Sequence, residues 1–387
     1  MGLTSRERVV KAIQHQEPDR VPVDVQCGLD FYLKLKAHLG LDFEEDLQPS
    51  TFQEVIPHPK VCQAMGWDVV SVKLEKPRKT GATARTQPDQ IVDAWGVRRR
   101  RVHQPGGGSL MEAVDHPLAG ANLDDLATFP WPHPDAPGVG EATEVAAKRL
   151  YEDTDLALVG RFGGTILETA IDLMGFENWL VATASAPEFA GALLDHITDI
   201  AIQGDRIGLE AAGKYITILK VSGDDLGTQN SLLYSPRTLR QVLLPRLKQR
   251  WQAARRYLDE HDRPDVPLMF HTDGAIRTII PDLIEGGIVV LNPIQPNCAG
   301  METDSLKREF GDQIVFHGAI DIQWLLPFGS QEEIRRTVRS KIQDLAPGGG
   351  YILSPAHIIQ ADVSPQSVIT MTQTAHEFGM YPLGSSQ

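Results

Sequence analysis

The chain has 387 residues and a net charge of −14, with 42% hydrophobic and 23% charged residues, which is ordinary for a globular protein with a large core. So acidic a chain repels nucleic acid unless a local basic patch compensates, and no apolar run approaches the roughly 20 residues that span a bilayer. The charged N-terminus is unlike a signal peptide, and three scattered cysteines do not predict a disulfide framework. We therefore expect a cytoplasmic protein without nucleic-acid or membrane partners.

The first part of the chain predicts a helix followed by an irregular segment. Thr4 and Ser5 before Glu7 are typical of a helix N-terminus. Residues 76–140 are rich in proline and glycine, and we interpret them as a long insertion with a hairpin that covers one face of the fold. The basic run Arg98–Arg101 in this hairpin is interpreted as a solvent-exposed strand edge.

Short apolar runs then alternate with amphipathic stretches, a pattern typical of βα repeats around a buried parallel sheet. The predicted strands are Val21–Val25, Asp68–Val72, Leu156–Gly160, Tyr215–Leu219, Val266–Phe270, Ile288–Leu291, Gln313–Phe316 and Tyr351–Leu353. Eight units without a phosphate-binding glycine motif favour a closed (β/α)8 TIM barrel over an open sheet. Such a barrel has about 250 residues, so with an N-terminal helical extension and the insertion it accounts for residues 1–387 as one domain.

Polar residues follow nearly every predicted strand. Catalytic groups of such barrels gather beyond the carboxyl ends of the strands, so these residues are the candidates for an active site. They are Asp24, Gln26, Arg161, Asp225, Gln229, His271, Asp273, Cys298, His317, Asp321 and His357.

Three of these residues form a candidate metal site. Alternate residues of a strand point the same way, so His271 and Asp273 project together into the barrel mouth, and His357 arrives from the last strand. Two nitrogens and one oxygen suit zinc or another divalent metal with an open coordination position. The same side chains would also suit substrate binding or proton transfer, and a histidine alone is more often structural.

The pair Asp224 and Asp225 is interpreted in the same way. Adjacent side chains of a strand point to opposite faces, so at most one of the two carboxylates faces the pocket. The other is expected to cap the following turn.

Several segments resemble the uroporphyrinogen decarboxylase-like superfamily. The matching segments are Ser5–Val9, Pro18–Pro22, Gly223–Gln229 with Ser235–Pro236, Phe316–Asp321 and Gly349–His357. The resemblance covers most of the chain and implies a (β/α)8 barrel. The superfamily contains porphyrinogen decarboxylases, cobalamin-dependent methyltransferases and related demethylases.

The resemblance is weaker to the decarboxylases than to the methyltransferases. The decarboxylases carry an arginine-rich segment after the first strand, whereas this chain has no arginine between Arg20 and Arg78. Without that cluster, a polyanion would be desolvated without compensation. The methyltransferases hold zinc with His-x-Cys and a later Cys, where this chain has His271-Thr272-Asp273 and His357. Nitrogen and oxygen ligands suit activation of a hydroxyl, phenol or ether oxygen better than of a thiol.

The resemblance therefore implies a methyltransferase that moves a methyl group between a small methoxylated substrate and cobalamin. Because the chain contains no Asp-x-His-x-x-Gly cobalamin motif, we expect a partner corrinoid protein to carry the cobalamin. The alternatives are a metal-free decarboxylase that holds a carboxylate with Arg161, and a non-catalytic binding protein. The sequence leaves a homodimer open. The expected roles are metal binding for His271, Asp273, His357 and Cys298, catalysis for Asp225, His317 and Asp24, and substrate binding for Arg161, Gln229, Gln26 and Asp321.

Overall fold

The computed structural model describes residues 2–75, 89–104 and 106–383, so the first part of the predicted insertion, residues 76–88, lies outside the described residues. The strands of the described part are β1 Cys27–Gly28, β2 Glu54–Val55, β3 Val69–Lys73, β4 Gln90–Val92, β5 Arg98–His103, β6 Ser109–Asp115, β7 Ala157–Arg161, β8 Ile218–Gly223, β9 Leu268–His271, β10 Ile288–Ile294, β11 Val315–Ile320 and β12 Tyr351–Pro355.

Helices follow the strands of the second half. The helices of the described ranges are α1 Ser5–Ile13, α2 Leu29–His38, α3 Pro59–Met65, α4 Leu123–Thr128, α5 Val139–Asp153, α6 Leu167–Met174, α7 Phe176–Ser185, α8 Pro187–Ala212, α9 Pro236–Thr238, α10 Leu244–Glu260, α11 Ile280–Glu285, α12 Thr303–Phe310, α13 Leu325–Phe328, α14 Gln331–Leu345 and α15 Pro365–Phe378. A π-helical turn, Leu239–Leu243, joins α9 to α10, and a 3-10 turn, Arg277–Ile279, precedes α11. None of these helices combines the length and the apolar character that a membrane span requires.

Seven parallel strands form one curved sheet in the order β12-β11-β10-β9-β8-β7-β3. The segment Val21–Val25 closes this sheet into a barrel, because it bonds to both outer strands. Leu353 N donates to Pro22 O (2.9 Å), and Asp68 N donates to Val23 O (2.8 Å). Pro22 has no N–H to donate, and the N–H of Val23 goes to the Asp68 side chain, so this segment makes single bridges instead of a ladder. The predicted (β/α)8 barrel is confirmed.

The barrel interior has an apolar lower layer and a polar upper layer. The lower layer contains Val69, Val159, Ile218, Met269, Val290, Val315 and Ile352, which pack against Val9 and Ile13 of α1. Side chains two residues further along a strand point into the same interior, and they are Ser71, Arg161, Lys220, His271, Asn292, His317 and Ser354. Helix α1 therefore closes the amino-terminal end of the barrel, and the polar side chains of the interior lie toward the carboxyl end.

The start of α1 agrees with the sequence prediction. Thr4 is the N-cap, and its side chain and that of Glu7 form a reciprocal capping box. The predicted N-terminal helix is confirmed.

A buried carboxylate, Asp68, joins α1 to the barrel. Its oxygens accept hydrogen bonds from Arg8 Nη1 (2.7 Å), Arg20 Nη1 (2.7 Å) and Ser5 Oγ (2.8 Å). The backbone N–H of Val23 donates to the same carboxylate (2.9 Å). One side chain therefore fixes the N-terminal helix and the closing segment together.

The insertion contains an antiparallel sheet of three described strands, β4, β5 and β6, and not a hairpin alone. The interpretation of Arg98–Arg101 as a strand edge is wrong, because β5 lies between the other two strands. Arg99 is buried and forms ion pairs with Asp93 (2.8 Å) and with Asp172 of α6. The charge of Arg99 thus fixes the insertion to a barrel helix, through a partner that is distant in sequence.

Candidate active site

His271, Asp273 and His357 lie together at the carboxyl end of the barrel. One ligand atom from each residue lies within 4.8 Å of the others, and His271 Nε2 is 3.7 Å from Asp273 Oδ1. This oxygen of Asp273 is buried and has no hydrogen-bond partner among the residues that the structure describes. That is unfavourable for a carboxylate unless a cation or a ligand supplies the missing contact. The donor set and the unpartnered oxygen fit a divalent metal.

A chain of hydrogen bonds fixes the tautomer of His271. The carboxylate of Asp24 only accepts, so His317 donates its Nε2–H to Asp24 Oδ2 (2.9 Å) and its Nδ1 must accept. Asn292 Nδ2 donates to that Nδ1 (2.7 Å), and the Asn292 carbonyl accepts from His271 Nδ1 (2.6 Å). The lone pair of His271 therefore lies on Nε2, the nitrogen that faces Asp273.

Both histidines of the cluster are held neutral. Burial, followed by the nearby charge of Lys220, lowers the pKa of His271 well below its usual value. The same two causes lower the pKa of His357. Neutral imidazole is the form that coordinates a metal.

Asp225 adds a second carboxylate beside the cluster. Its Oδ1 accepts a hydrogen bond from Asp273 N (3.0 Å) and lies 3.9 Å from His271 Nε2. Burial and the charge of Asp225 raise the pKa of Asp273 to about 8. A divalent cation would favour the ionised form of both carboxylates.

Asp224 has a structural role, but it caps the start of α6 and not the turn that follows it in the sequence. It is fully buried, and its Oδ1 accepts from the N–H groups of Ile166 (2.8 Å) and Leu167 (2.6 Å) at the start of α6. Glu168 of the same helix accepts from Asp225 N (2.7 Å), and burial and the Asp224 charge raise its pKa well above the usual value. The sequence analysis missed Glu168, because nothing in the sequence of α6 points to the barrel mouth.

The predicted substrate ligand Arg161 is already paired. Its guanidinium forms a bidentate ion pair with Glu54, and Lys73 Nζ lies 3.0 Å from the same carboxylate. Its predicted role in substrate binding stays a prediction, in which a substrate carboxylate would have to compete with Glu54 for the guanidinium. The sequence analysis missed Glu54 because it belongs to a two-residue strand, β2, in the loop region after the closing segment.

A cavity of about 230 Å³ opens beside the metal-site candidates. Gln229, Asp273, Cys298, Asp321 and His357 contribute to its wall. Gln26 is half-buried, and its backbone carbonyl accepts from Ile359 N (2.9 Å), just beyond His357. The predicted substrate ligand Gln229 thus lies at the cavity itself.

Two residues with predicted roles, Cys298 and Asp321, have partners within the described part of the chain. Cys298 is not part of the donor cluster, because its thiol donates to Gln229 Oε1 (2.8 Å). Asp321 accepts from the backbone N–H groups of Gln323 (2.7 Å) and Leu325 (3.0 Å), so its carboxylate caps the start of α13. Both residues line the cavity wall, and their predicted roles in metal and substrate binding stay predictions.

Replacing Asn292 tests the hydrogen-bonded chain behind His271. Asn292→Ala removes the acceptor of the Nδ1–H, and we expect zinc affinity to fall about 10- to 100-fold although all three ligand residues remain. Competition with a chelating dye measures the affinity, and Asn178→Ala in α7 is the matched control. Unchanged affinity in Asn292→Ala would show that His271 needs no support from this chain.

Comparisons with known proteins show the family of this chain. A family model described as uroporphyrinogen decarboxylase (URO-D) matches residues 111–378. A uroporphyrinogen decarboxylase of Alkalilimnicola ehrlichii is 22% identical over 392 residues, covering 97% of this chain and 95% of that protein. One of Schizosaccharomyces pombe is 24% identical over 250 residues, covering 62% and 64%.

A solved structure shares the fold. A methyltransferase from Methanosarcina mazei superposes with a TM-score of 0.63 at 18% sequence identity, covering 97% of this chain and 99% of that chain. Together with the family match, this confirms the resemblance inferred from the sequence segments.

Proposed function

The chain belongs to the uroporphyrinogen decarboxylase family, and within this family we propose that it is a methyltransferase. It would move a methyl group between a small methoxylated substrate and a corrinoid carried by a separate protein. The observation that supports this most is the set His271, Asp273 and His357, with ligand atoms within 4.8 Å at the barrel mouth. Nitrogen and oxygen donors suit activation of an ether oxygen.

The three residues would hold a divalent metal such as zinc, which supplies Lewis-acid polarisation of the ether oxygen when it is bound. Asp24, His317 and Asn292 keep the lone pair of His271 on Nε2 through their hydrogen bonds. Asp225, whose Oδ1 lies 3.9 Å from that nitrogen, would deliver a proton to the oxygen that loses the methyl group and would take it back in the reverse reaction. Gln229 lines the cavity in which the substrate would lie.

Decarboxylation without a metal is the second candidate, favoured by the activity named for the curated relatives. The sequence analysis assigned the substrate carboxylate of this reaction to Arg161. Its ion pair with Glu54 counts against that role.

The test is a turnover assay on the zinc-loaded protein. Methoxylated acids, phenyl ethers and methanol are offered together with cob(I)alamin, and methylcobalamin is followed by its absorbance, while released CO2 is measured in parallel. We expect methylcobalamin to form only with the metal-loaded protein. His261→Ala, which replaces an exposed histidine and serves as a control, should form methylcobalamin at the rate of wild type. Release of CO2 in the absence of metal and corrinoid would select the decarboxylase.

A further inference from the structure

Lys220 is a charged residue inside an apolar strand. It belongs to β8, between the fully buried residues Leu219 and Val221, and is itself only 8% exposed. It lies two residues beyond Ile218 of the lower layer, so it points into the barrel interior. Within the described ranges, its Nζ donates no hydrogen bond and forms no ion pair, although the charges of Glu54 and Asp24 act on it.

The neighbouring strands place two more cations beside it. Lys73 of β3 is opposite Arg161 of β7, and Gly160 of β7 is opposite Leu219, which puts Arg161 and Lys220 side by side on adjacent strands. Three consecutive strands therefore present a cation at the same level of the barrel.

The nearby carboxylates are already engaged. Glu54 is shared by Arg161 and Lys73, and Asp24 accepts from His317. Burial and the charge of Arg161 accordingly lower the pKa of Lys220 to about 7. A buried ammonium without a partner is unfavourable, and an arriving anion would remove this cost.

Lys220 is also close to the candidate metal ligands. It pairs with Met269, two residues before His271 on β9, and its charge acts on both His271 and His357. An anion held by Lys220 would therefore lie within the polar layer, next to the metal-site candidates.

We propose that Lys220 binds a carboxylate group of the substrate, so that the substrate is a methoxylated carboxylic acid whose carboxylate lies on Lys220 and whose ether oxygen faces His271, Asp273 and His357. The methoxy part of this assignment rests on the proposed methyl transfer. The carboxylate site does not, because it can be tested by binding alone.

The test measures binding by calorimetry for two matched pairs of probes, p-methoxybenzoate with p-methoxybenzamide and methoxyacetate with methoxyacetamide. In Lys220→Met we expect carboxylate binding to weaken about 10- to 100-fold, the usual effect of one charge-assisted hydrogen bond. Amide binding should be unchanged. Lys214→Met, which removes an exposed lysine paired with Glu144, is the control with the same change in net charge.

Thermal unfolding gives a second readout. Because Met replaces a buried ammonium without breaking an ion pair, Lys220→Met should unfold at the same temperature as wild type or higher. A wild-type protein that does not prefer carboxylates over amides, or a Lys220→Met protein that binds carboxylates normally, overturns the assignment, as does a fall in melting temperature. Carboxylate binding without methyl transfer would leave Lys220 as an anion ligand and refute the proposed function only.

Discussion

His271→Ala and His357→Ala are each expected to lose stoichiometric divalent metal. Each substitution removes one of three donors whose atoms lie within 4.8 Å. Loss of a residue behind a ligand costs about 10- to 100-fold in affinity, so loss of a ligand should cost more than about 100-fold. Elemental analysis after dialysis against a zinc buffer measures the occupancy.

His38→Ala is the control for this experiment, because His38 is exposed at the end of α2. We expect this variant to keep the zinc content of wild type. Undiminished, stoichiometric metal in both His271→Ala and His357→Ala would remove the metal site, and the proposed ether activation with it.

Asp68→Asn is expected to destabilise the fold severely. Its carboxylate is fully buried and is paired with Arg8 and Arg20, so removing the charge takes the ion pair from Arg20 and leaves Arg8 with Asp19 alone. Breaking a buried ion pair costs about 3–5 kcal/mol. The same change weakens the hydrogen bond from Val23 N and hence the closure of the barrel. Urea unfolding followed by circular dichroism measures the loss.

Asp195→Asn is the matched control, because Asp195 is 52% exposed and pairs with Arg246 on the surface. Its cost should be about 0–1 kcal/mol. Equal midpoints for Asp68→Asn and wild type would mean that Asp68 does not hold the closing segment in place.

The barrel could be predicted because its strands are buried on both faces. Val69–Lys73 and Tyr351–Pro355 lie almost where their apolar runs predict them. The predicted strand Tyr215–Leu219 begins too early, because the observed strand β8 is Ile218–Gly223. Tyr215, Ile216 and Thr217 are apolar, aromatic or β-branched and therefore look like strand residues, although the hydrogen-bonded ladder begins only at Ile218. The middle position of β5 could not be predicted, since strand order within the insertion depends on tertiary contacts.

The site was predictable where the strand rule applies and not elsewhere. His271 and His357 follow strands directly, and their position at the mouth needs only the alternation of side chains. Lys220 and Asn292 also lie two positions after an apolar interior residue of their strands. The sequence of one strand does not show, however, that polar residues of several strands lie at the same level of the barrel. Glu54 gave no signal, because its partner Arg161 is 107 residues away.

Helix α1 fills the amino-terminal end of the barrel with Val9 and Ile13. A substrate must therefore reach the polar layer from the carboxyl end of the barrel. In the proposed reaction, the small reactant and the macromolecular methyl carrier would use this same entrance. In the proposed methyl transfer, the small reactant would enter before the carrier docks, and the demethylated product would leave only after the carrier dissociates. Such a scheme obeys a compulsory order, and excess carrier would inhibit it.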